Sequence, residues 1–162
     1  MFRIFNVLVF LVLSGSAPVA SQGVSIISRK FNINLQHPID FNKKFIDKKP
    51  ILGKGKTLEG SIAGIIAPVI LSLFLGIDIY LAFLIGLGAV LGDIVESFIK
   101  RRLGIERGED WLPWDAIDWI VGAIAVAQLW NYLSWIELIS MIVIGAVLHQ
   151  VMNKFARKVK LK

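Results

Sequence analysis

The sequence of 162 residues contains no cysteine. A chain without thiols forms neither a disulfide framework nor a thiolate metal site, and its redox compartment stays undetermined. The sequence also lacks room for a separate water-soluble module, because its longest polar stretch, residues 29–59, has only about thirty residues. Apolar residues instead make up 56% of the chain, and the mean hydropathy is +0.69. These features predict a single membrane domain over residues 1–162.

Five apolar windows are candidates for helices that cross the hydrocarbon core, which takes roughly 20 residues per helix. We predict an all-α integral membrane protein with five transmembrane helices, at about residues 2–27, 61–75, 79–99, 117–133 and 135–152. Three residues separate the second window from the third, and Ser134 alone separates the last two. Each of these pairs is therefore predicted to form a tight hairpin.

The lysines and arginines predict the orientation of these helices, because cytoplasmic loops retain them. Of the 18 basic residues, the first loop (28–60) carries eight, the second loop (100–116) four and the C-terminal tail five, while Arg3 alone falls on the other face. We therefore expect a protein of the cell membrane with its N-terminus outside and its C-terminus cytoplasmic. The lysines before Gly53 are interpreted as topogenic, lipid-facing charges.

The N-terminal window has a competing interpretation as a cleavable signal peptide. Arg3, an apolar run to Leu13 and the small residues that follow are typical of one. Apolar character resumes over residues 24–27, however, and cleavage would leave four spans with both ends cytoplasmic. We therefore expect a retained first helix, in which Pro18 is tolerated inside a buried span.

Asp93 falls inside the third predicted span, on the helix face that also carries Glu96 or Ser97 and Lys100. It lies about 10 Å deeper than Lys100, below the level from which a short carboxylate reaches the interface. An aspartate at the centre of a span costs roughly 2.5–3.5 kcal/mol. Asp93 therefore needs a cavity, a metal ion or, as the structural alternative, a neighbouring basic residue.

A second acidic pair, Asp115 and Asp118, stands three residues apart at the start of the fourth predicted span. Two carboxylates on one helical turn repel each other unless a cation lies between them. Mg²⁺ prefers oxygen ligands of this kind and keeps positions for substrate phosphates. Helix capping is the alternative, and it explains Asp115 better than Asp118.

Other motifs are less specific. The glycine-rich stretch at residues 52–64 is not a P-loop, although its backbone with Lys54, Lys56 and Thr57 could donate hydrogen bonds to a phosphate. Gly60 and Gly64, and likewise Gly88 and Gly92, have the spacing that lets helices approach closely. Trp111, Trp114 and Trp119 are interpreted as an interfacial aromatic belt, and His37 and His149 as ordinary polar residues.

The acidic residues and the basic rim meet at one predicted cytoplasmic face. Basic groups and a divalent cation neutralise charge on transferring phosphates, so this combination favours a nucleoside triphosphate bound through Mg²⁺. Two rival classes stay open. The first is a CDP-alcohol phosphotransferase, whose motif begins D-G-x-x-A-R, but here Ile94 follows Asp93. The second is a small cation or proton carrier, which would need deep carboxylates on several spans. Three of the five predicted spans have none.

The third span and its C-terminal flank fit the pattern G-D-x-x-x-S-x-x-K-R through Gly92, Asp93, Ser97, Lys100 and Arg101. This pattern resembles the signature of the CDP-diglyceride synthetase family. The chain is short, has five predicted spans and carries the motifs RLGI, LP and D-x-x-D after this pattern. In these respects it is similar to the archaeal CDP-archaeol synthases of that family. The similarity extends from the P-I-D at residues 38–40 through GKGKT to the end of the fourth span. Two motifs that are usual in these synthases are altered in this sequence. The motif K-T-W is replaced by K-T-L at residues 56–58, and D-Q-L-D is replaced by D-A-I-D at residues 115–118.

The resemblance implies a Mg²⁺-dependent membrane cytidylyltransferase that moves CMP from CTP to a lipid phosphate. The implied acceptor is unsaturated archaetidic acid, an isoprenoid diether of glycerol phosphate, and the products are CDP-archaeol and pyrophosphate. A homodimer is left open, and no nucleic-acid partner is expected. The resemblance assigns catalysis to Asp93, Lys100, Asp115 and Asp118, the metal to Asp93, Asp115 and Asp118, and substrate binding to Lys56, Thr57, Ser97 and Arg101.

Overall fold

The described part of the chain forms five α-helices and one short 3-10 turn. The structure, a computed structural model, describes residues 4–129 and 134–158, with side chains over 6–129 and 134–151. The helices are α1 (Ile4–Phe31), α2 (Leu58–Leu75), α3 (Ile79–Leu103), α4 (Asp118–Gln128) and α5 (Trp135–Lys158), and the 3-10 turn is Trp114–Ala116. The prediction of an all-helical fold with five helices is confirmed.

Three of the helices are long and apolar enough to cross a membrane: residues Asn6–Phe31 of α1, the whole of α2 and the whole of α3. Helix α4 and the segment Trp135–Val151 of α5 are apolar but shorter. The 11 residues of α4 measure about 16 Å, roughly half the hydrocarbon core. Arg3, residues 130–133 of the fourth window and the side chains of the basic tail lie outside the described residues.

The helix ends differ from the ends of the apolar windows. Helix α1 continues through Arg29 and Lys30, and α3 continues through Arg102. Cations are favourable in the last turn of a helix, and Gly104, in the left-handed conformation at φ 81°, ends α3. The hairpin between α2 and α3 is as short as predicted, because α2 ends at Leu75 and Asp78 caps α3.

Helices α3 and α4 pack backbone against backbone at glycines. A Cβ on Gly88 would lie 2.5 Å from the carbonyl oxygen of Gly122, and a Cβ on Gly92 would overlap the carbonyl oxygen of Asp118. The spacing of Gly88 and Gly92 thus serves close helix approach, as predicted. The same contact brings Asp93, the neighbour of Gly92, beside the start of α4.

The core lies between α1, α3, α4 and α5, and its largest fully buried side chains include Phe10, Leu13, Ile85, Ile120 and Met141. Trp119 belongs to this core, with only 7% of its surface exposed. Its assignment to an interfacial belt was therefore wrong. The ring points inward because Gly15 of α1 and Gly145 of α5 leave room for it.

Candidate active site

A polar cleft of about 230 Å³ opens where the C-terminal half of α3 meets the loop before α2 and the segment after α3. Seven of the eight site residues predicted from the sequence line it: Lys56, Asp93, Ser97, Lys100, Arg101, Asp115 and Asp118. Thr57 instead lines a smaller neighbouring cavity together with Lys56 and Asp93. Its hydroxyl accepts the Gly60 N–H at 3.2 Å and so caps α2.

Three carboxylates converge in this cleft. One oxygen from each of Asp93, Glu96 and Asp118 lies within 4.8 Å of the other two, and we call this group the acidic centre. Asp93 and Glu96 stand one turn apart on α3, while Asp118 begins α4 at the glycine contact. The metal ligands assigned from the sequence were Asp93, Asp115 and Asp118. The acidic centre therefore contains Glu96 where that assignment had Asp115.

The Asp115 carboxylate binds groups outside the acidic centre. Its Oδ1 lies 2.8 Å from Lys100 Nζ, and its Oδ2 accepts the Trp111 N–H at 2.7 Å. Burial would raise the pKa of Asp115, but hydrogen bonds from the Glu96 carboxyl group, Lys100 and the Trp111 N–H hold that pKa below its ordinary value. Glu96 therefore joins the acidic centre to the Asp115–Lys100 pair.

Asp115 and Asp118 do not share one helical turn, although the sequence suggested that they would. Asp115 belongs to the 3-10 turn, and α4 begins at Asp118 after Ile117, whose φ of −127° is not helical. The break lets the two side chains bind different partners. Asp118 joins the acidic centre, and Asp115 binds the basic rim.

Glu96 is deeply buried, with 8% of its surface exposed. Its Oε1 accepts no hydrogen bond among the described residues, although Lys100 Nζ lies 3.3 Å away. Oε1 therefore already pairs with the Lys100 ammonium, and it is the convergence of three carboxylates within 4.8 Å that suits a divalent cation. The sequence signal for Glu96 was its spacing of three from Asp93.

Lys56 reaches the acidic centre from the loop before α2. Its Nζ lies 2.5 Å from Asp93 Oδ1. The loop is held by main-chain pairing, since the Ile39 N–H donates to the Lys56 carbonyl at 3.0 Å and Pro38 pairs with Thr57. These bonds fix where the Lys56 side chain begins.

A second support for this loop is Asp40, which is 7% exposed. Its carboxylate accepts the N–H groups of Asn42 at 2.9 Å, Leu52 at 2.9 Å and Gly53 at 3.0 Å. Burial would raise the pKa of Asp40, but these three donors lower it. Sequence reasoning missed this role, because the partners are main-chain groups that no side-chain motif reveals.

The remaining predicted residues complete the cleft wall. Ser97 is buried, and its Oγ lies 3.5 Å from Glu96 Oε2. Arg101 lines the cleft, and its buried Nε donates to no group in the described part of the chain. His149 of α5 also lines the cleft, where the sequence gave no reason to place it. Tertiary packing of α5 brings it there.

An apolar groove of about 400 Å³ runs to the acidic centre from the side of α1 and α5. Its lining includes the apolar side chains of Leu11, Val19 and Leu148 together with Asp93 and Asp118. The groove therefore joins an apolar surface to the carboxylates. An amphiphile with a long chain and a polar head matches this distribution.

A family model described as CarS-like CDP-archaeol synthase matches residues 33–162. The chain belongs to this family. Membership in the CDP-archaeol synthase family confirms the prediction, made from the sequence, of a membrane cytidylyltransferase that makes CDP-archaeol. It also confirms that the chain is a CTP-dependent transferase.

Individual members of the family are similar over nearly the whole chain. The CDP-archaeol synthase of Sulfurisphaera tokodaii is 40% identical over 167 residues, which cover 99% of this chain and 93% of that protein. The CDP-archaeol synthase of Pyrobaculum islandicum is 33% identical over 150 residues, 90% of each chain. A solved structure described as an intramembrane enzyme for archaeal membrane lipid biosynthesis superposes with a TM-score of 0.74 at 28% identity, over 93% of this chain and 94% of that one.

Proposed function

We propose that the cleft binds CTP and a lipid phosphate side by side, and that CMP passes to the lipid with release of pyrophosphate. The proposed acceptor is unsaturated archaetidic acid, 2,3-di-O-geranylgeranylglyceryl phosphate. The observation that carries the proposal is the acidic centre facing Lys56, Lys100 and Arg101 in one cleft, with an apolar groove leading to it. A nucleoside triphosphate and an amphiphilic phosphate both match this arrangement.

The acidic centre suits Mg²⁺. Its donors are carboxylate oxygens, which this ion prefers, and one oxygen from each of the three side chains lies within 4.8 Å of the other two. Asp93, Glu96 and Asp118 would hold the ion, which would neutralise negative charge on the triphosphate. The assignment of Asp115 as a further ligand stays a prediction. Its bond to Lys100 supports a role in orienting that lysine.

The basic side chains have separate tasks in the proposed reaction. Lys100, held by Asp115 and Glu96, offers a fixed positive charge to the triphosphate, and Arg101 offers a buried Nε donor. Lys56 and the main chain of Gly53 and Gly55 close the cleft from the loop side. Ser97 orients the Glu96 carboxylate or a substrate oxygen, and Thr57 fixes the start of α2.

The reaction needs no nucleophile from the protein. A phosphate oxygen of the lipid attacks the α-phosphorus of CTP, the bond to the β-phosphate oxygen breaks, and pyrophosphate leaves with the bonding electrons. The protein's contribution is to hold the two phosphates in line and to balance their charge. The groove beside Leu11, Val19 and Leu148 would take the isoprenoid chain and leave the lipid phosphate at the acidic centre.

The proposed topology has all five helices in the cell membrane, the N-terminus outside and the cleft on the cytoplasmic face. The basic loops support it, because Lys56 and Lys100 to Arg102 lie at the same end of the bundle as the cleft. The homodimer stays a prediction.

The purified protein in lipid vesicles tests the proposal. With CTP, Mg²⁺ and the diether lipid phosphate it should release pyrophosphate and form the CDP-lipid, and omission of the lipid phosphate should stop both. ATP should replace CTP poorly. Formation of a phosphodiester from a CDP-lipid and an alcohol, without pyrophosphate release, would instead identify a CDP-alcohol phosphotransferase.

A further inference from the structure

The first loop contains a short hairpin with the sequence KKFIDKK, residues 43–49, which we call the lysine hairpin. Lys44 pairs with Pro50 across its base, and the Ile51 N–H donates to the Lys43 carbonyl at 3.1 Å. At its tip the Phe45 N–H donates to the Lys49 carbonyl, and the Lys48 N–H donates to the Phe45 carbonyl, both at 2.9 Å. These bonds give the hairpin a defined shape.

The lysine hairpin is fastened to the side of α3. The ring of Phe45 meets the ring of Phe98 edge-on, with centroids 5.3 Å apart. The Arg102 guanidinium lies over both rings, 5.1 Å from the Phe45 centroid and 4.8 Å from the Phe98 centroid, and its Nη1 lies 3.1 Å from Asp47 Oδ1. Lys49 Nζ adds a bond of 2.9 Å to the Arg102 carbonyl.

The side of α3 that carries the hairpin has exposed apolar side chains. Leu91, Val95, Phe98 and Arg102 follow one another at spacings of four, three and four, so they share one helix face. Leu91 is 44% exposed and Val95 is 55% exposed. Exposed apolar side chains on an apolar helix of this length face lipid. The hairpin therefore lies at the end of a lipid-facing surface.

The cleft lies on another face of the same helix. Asp93, Glu96 and Lys100 line it, and they stand on the side of α3 opposite Phe98 and Arg102. No residue of the lysine hairpin is among the residues that line the cleft. Its lysines are therefore separate from the groups proposed to bind CTP.

The hairpin exposes apolar and positively charged side chains together. Ile46 at the tip is 90% exposed, more than any other large apolar residue among those described, and nearby Phe41 is 69% exposed. Lys43, Lys44 and Lys48 are exposed and form no salt bridge with any described residue, whereas Asp47 is neutralised by Arg102. An apolar tip surrounded by lysines is typical of segments that lie in a membrane interface.

We propose that the lysine hairpin docks on the phosphate-bearing lipid surface beside α3, with Ile46 inserted at the boundary of headgroups and chains and the lysines paired with lipid phosphates. A purely topogenic role needs only the positive charge. It does not account for an exposed isoleucine at the tip or for the aromatic contact that holds the hairpin against a lipid-facing helix surface. The proposal does not depend on the proposed reaction.

The lack of native cysteine allows a direct test. The variant Ile46→Cys, labelled with an environment-sensitive fluorophore, is placed in nanodiscs of phosphatidylcholine alone or of phosphatidylcholine with phosphatidylglycerol. The label should emit at shorter wavelength and be quenched by lipid-borne nitroxide, more strongly in the anionic discs. Lys54→Cys is the matched control, because Lys54 is exposed in the same loop but outside the hairpin, and its label should report water in both discs.

A second variant separates charge from apolar insertion. Replacing Lys43, Lys44 and Lys48 by glutamine in the Ile46→Cys background should abolish the difference between anionic and neutral discs. Emission from position 46 equal to that from position 54, with no nitroxide quenching in either disc, would overturn the proposal. An unchanged anionic-lipid effect in the glutamine variant would overturn it as well, because the lysines would then not be the groups that bind the phosphates.

Discussion

Lys56 Nζ lies 2.5 Å from the Oδ1 of Asp93, which joins the glycine-rich loop before α2 to a carboxylate inside α3. The ammonium group thus stands at the edge of the acidic centre, where it balances part of the negative charge. In the function proposed above, the same group would be in reach of the phosphates of a bound triphosphate. We therefore expect Lys56 to contribute to nucleotide binding next to the proposed metal site.

Lys56→Gln should raise the KM for CTP by roughly 10- to 100-fold, because a hydrogen bond to a charged group contributes about 1.5–3 kcal/mol. The KM for the lipid phosphate should change less. Lys54→Gln is the matched control, since Lys54 is an exposed lysine two residues away that does not line the cleft. Steady-state kinetics in vesicles measures both constants. Equal effects of the two substitutions on the KM for CTP would contradict the assignment.

Glu96→Gln and Asp115→Asn separate the two candidates for the third metal ligand. We expect Glu96→Gln to raise the Mg²⁺ concentration needed for half-maximal activity by more than about tenfold, since even outer partners of a metal site change affinity on that scale. Asp115→Asn should lower turnover through Lys100 while leaving the Mg²⁺ requirement close to that of the unaltered protein. The reverse pattern would favour Asp115 as the ligand, as the sequence first indicated.

Gly92→Ala should destabilise the protein by about 1–3 kcal/mol, because the new methyl group overlaps the Asp118 carbonyl and forces α3 and α4 apart. Activity should fall as well, since Asp93 and Asp118 would separate. Gly23→Ala is the control in α1, where a Cβ meets no atom within 4 Å. Thermal unfolding in detergent measures the difference. A melting temperature for Gly92→Ala as high as that for Gly23→Ala would show that the helix contact is looser than described.

Asp40→Asn should raise the KM for CTP, because an amide has one acceptor oxygen and leaves an N–H of Leu52, Gly53 or Asn42 unpaired, at a cost of about 1–3 kcal/mol. Asp47→Asn changes an exposed carboxylate of the same loop and should have little effect on that KM. If Asp40 acts by placing Lys56, its substitution should matter less in a Lys56→Gln background. Fully additive effects would show that Asp40 acts independently of Lys56.

The sequence predicted the helices well and their ends less well. An apolar window stops at the first charge, so the predicted ends fell at residues 27 and 99. A helix continues until the backbone is broken, as at Gly104, and its last turn accepts cations such as Arg102. Trp119 was misplaced for a related reason. Its position at the start of the fourth predicted span suggested the membrane interface. The ring instead lies in the core, because Gly15 and Gly145 have no side chains there and leave space for it.

The candidate site was predictable where it depends on helical periodicity. Asp93, Ser97 and Lys100 share a face of one continuous helix, so their meeting in the cleft follows from spacing. The relative positions of the Asp115 and Asp118 side chains could not be predicted from helical periodicity, because the helix is broken at Ile117 between them. His149 reaches the cleft through the packing of α5, and a single sequence carries no signal for such a contact.

We expect Asp93, Glu96 and Asp118 to hold one divalent cation together. Mn²⁺, used as a paramagnetic substitute for Mg²⁺, can be titrated into the purified protein with and without CTP while electron paramagnetic resonance measures the free ion. We predict that Asp118→Asn weakens Mn²⁺ binding by at least about tenfold, whereas Glu109→Gln, a substitution of an exposed carboxylate outside the cleft, leaves it unchanged. Equal Mn²⁺ affinity in Asp118→Asn and the unaltered protein would show that Asp118 does not help to hold the ion.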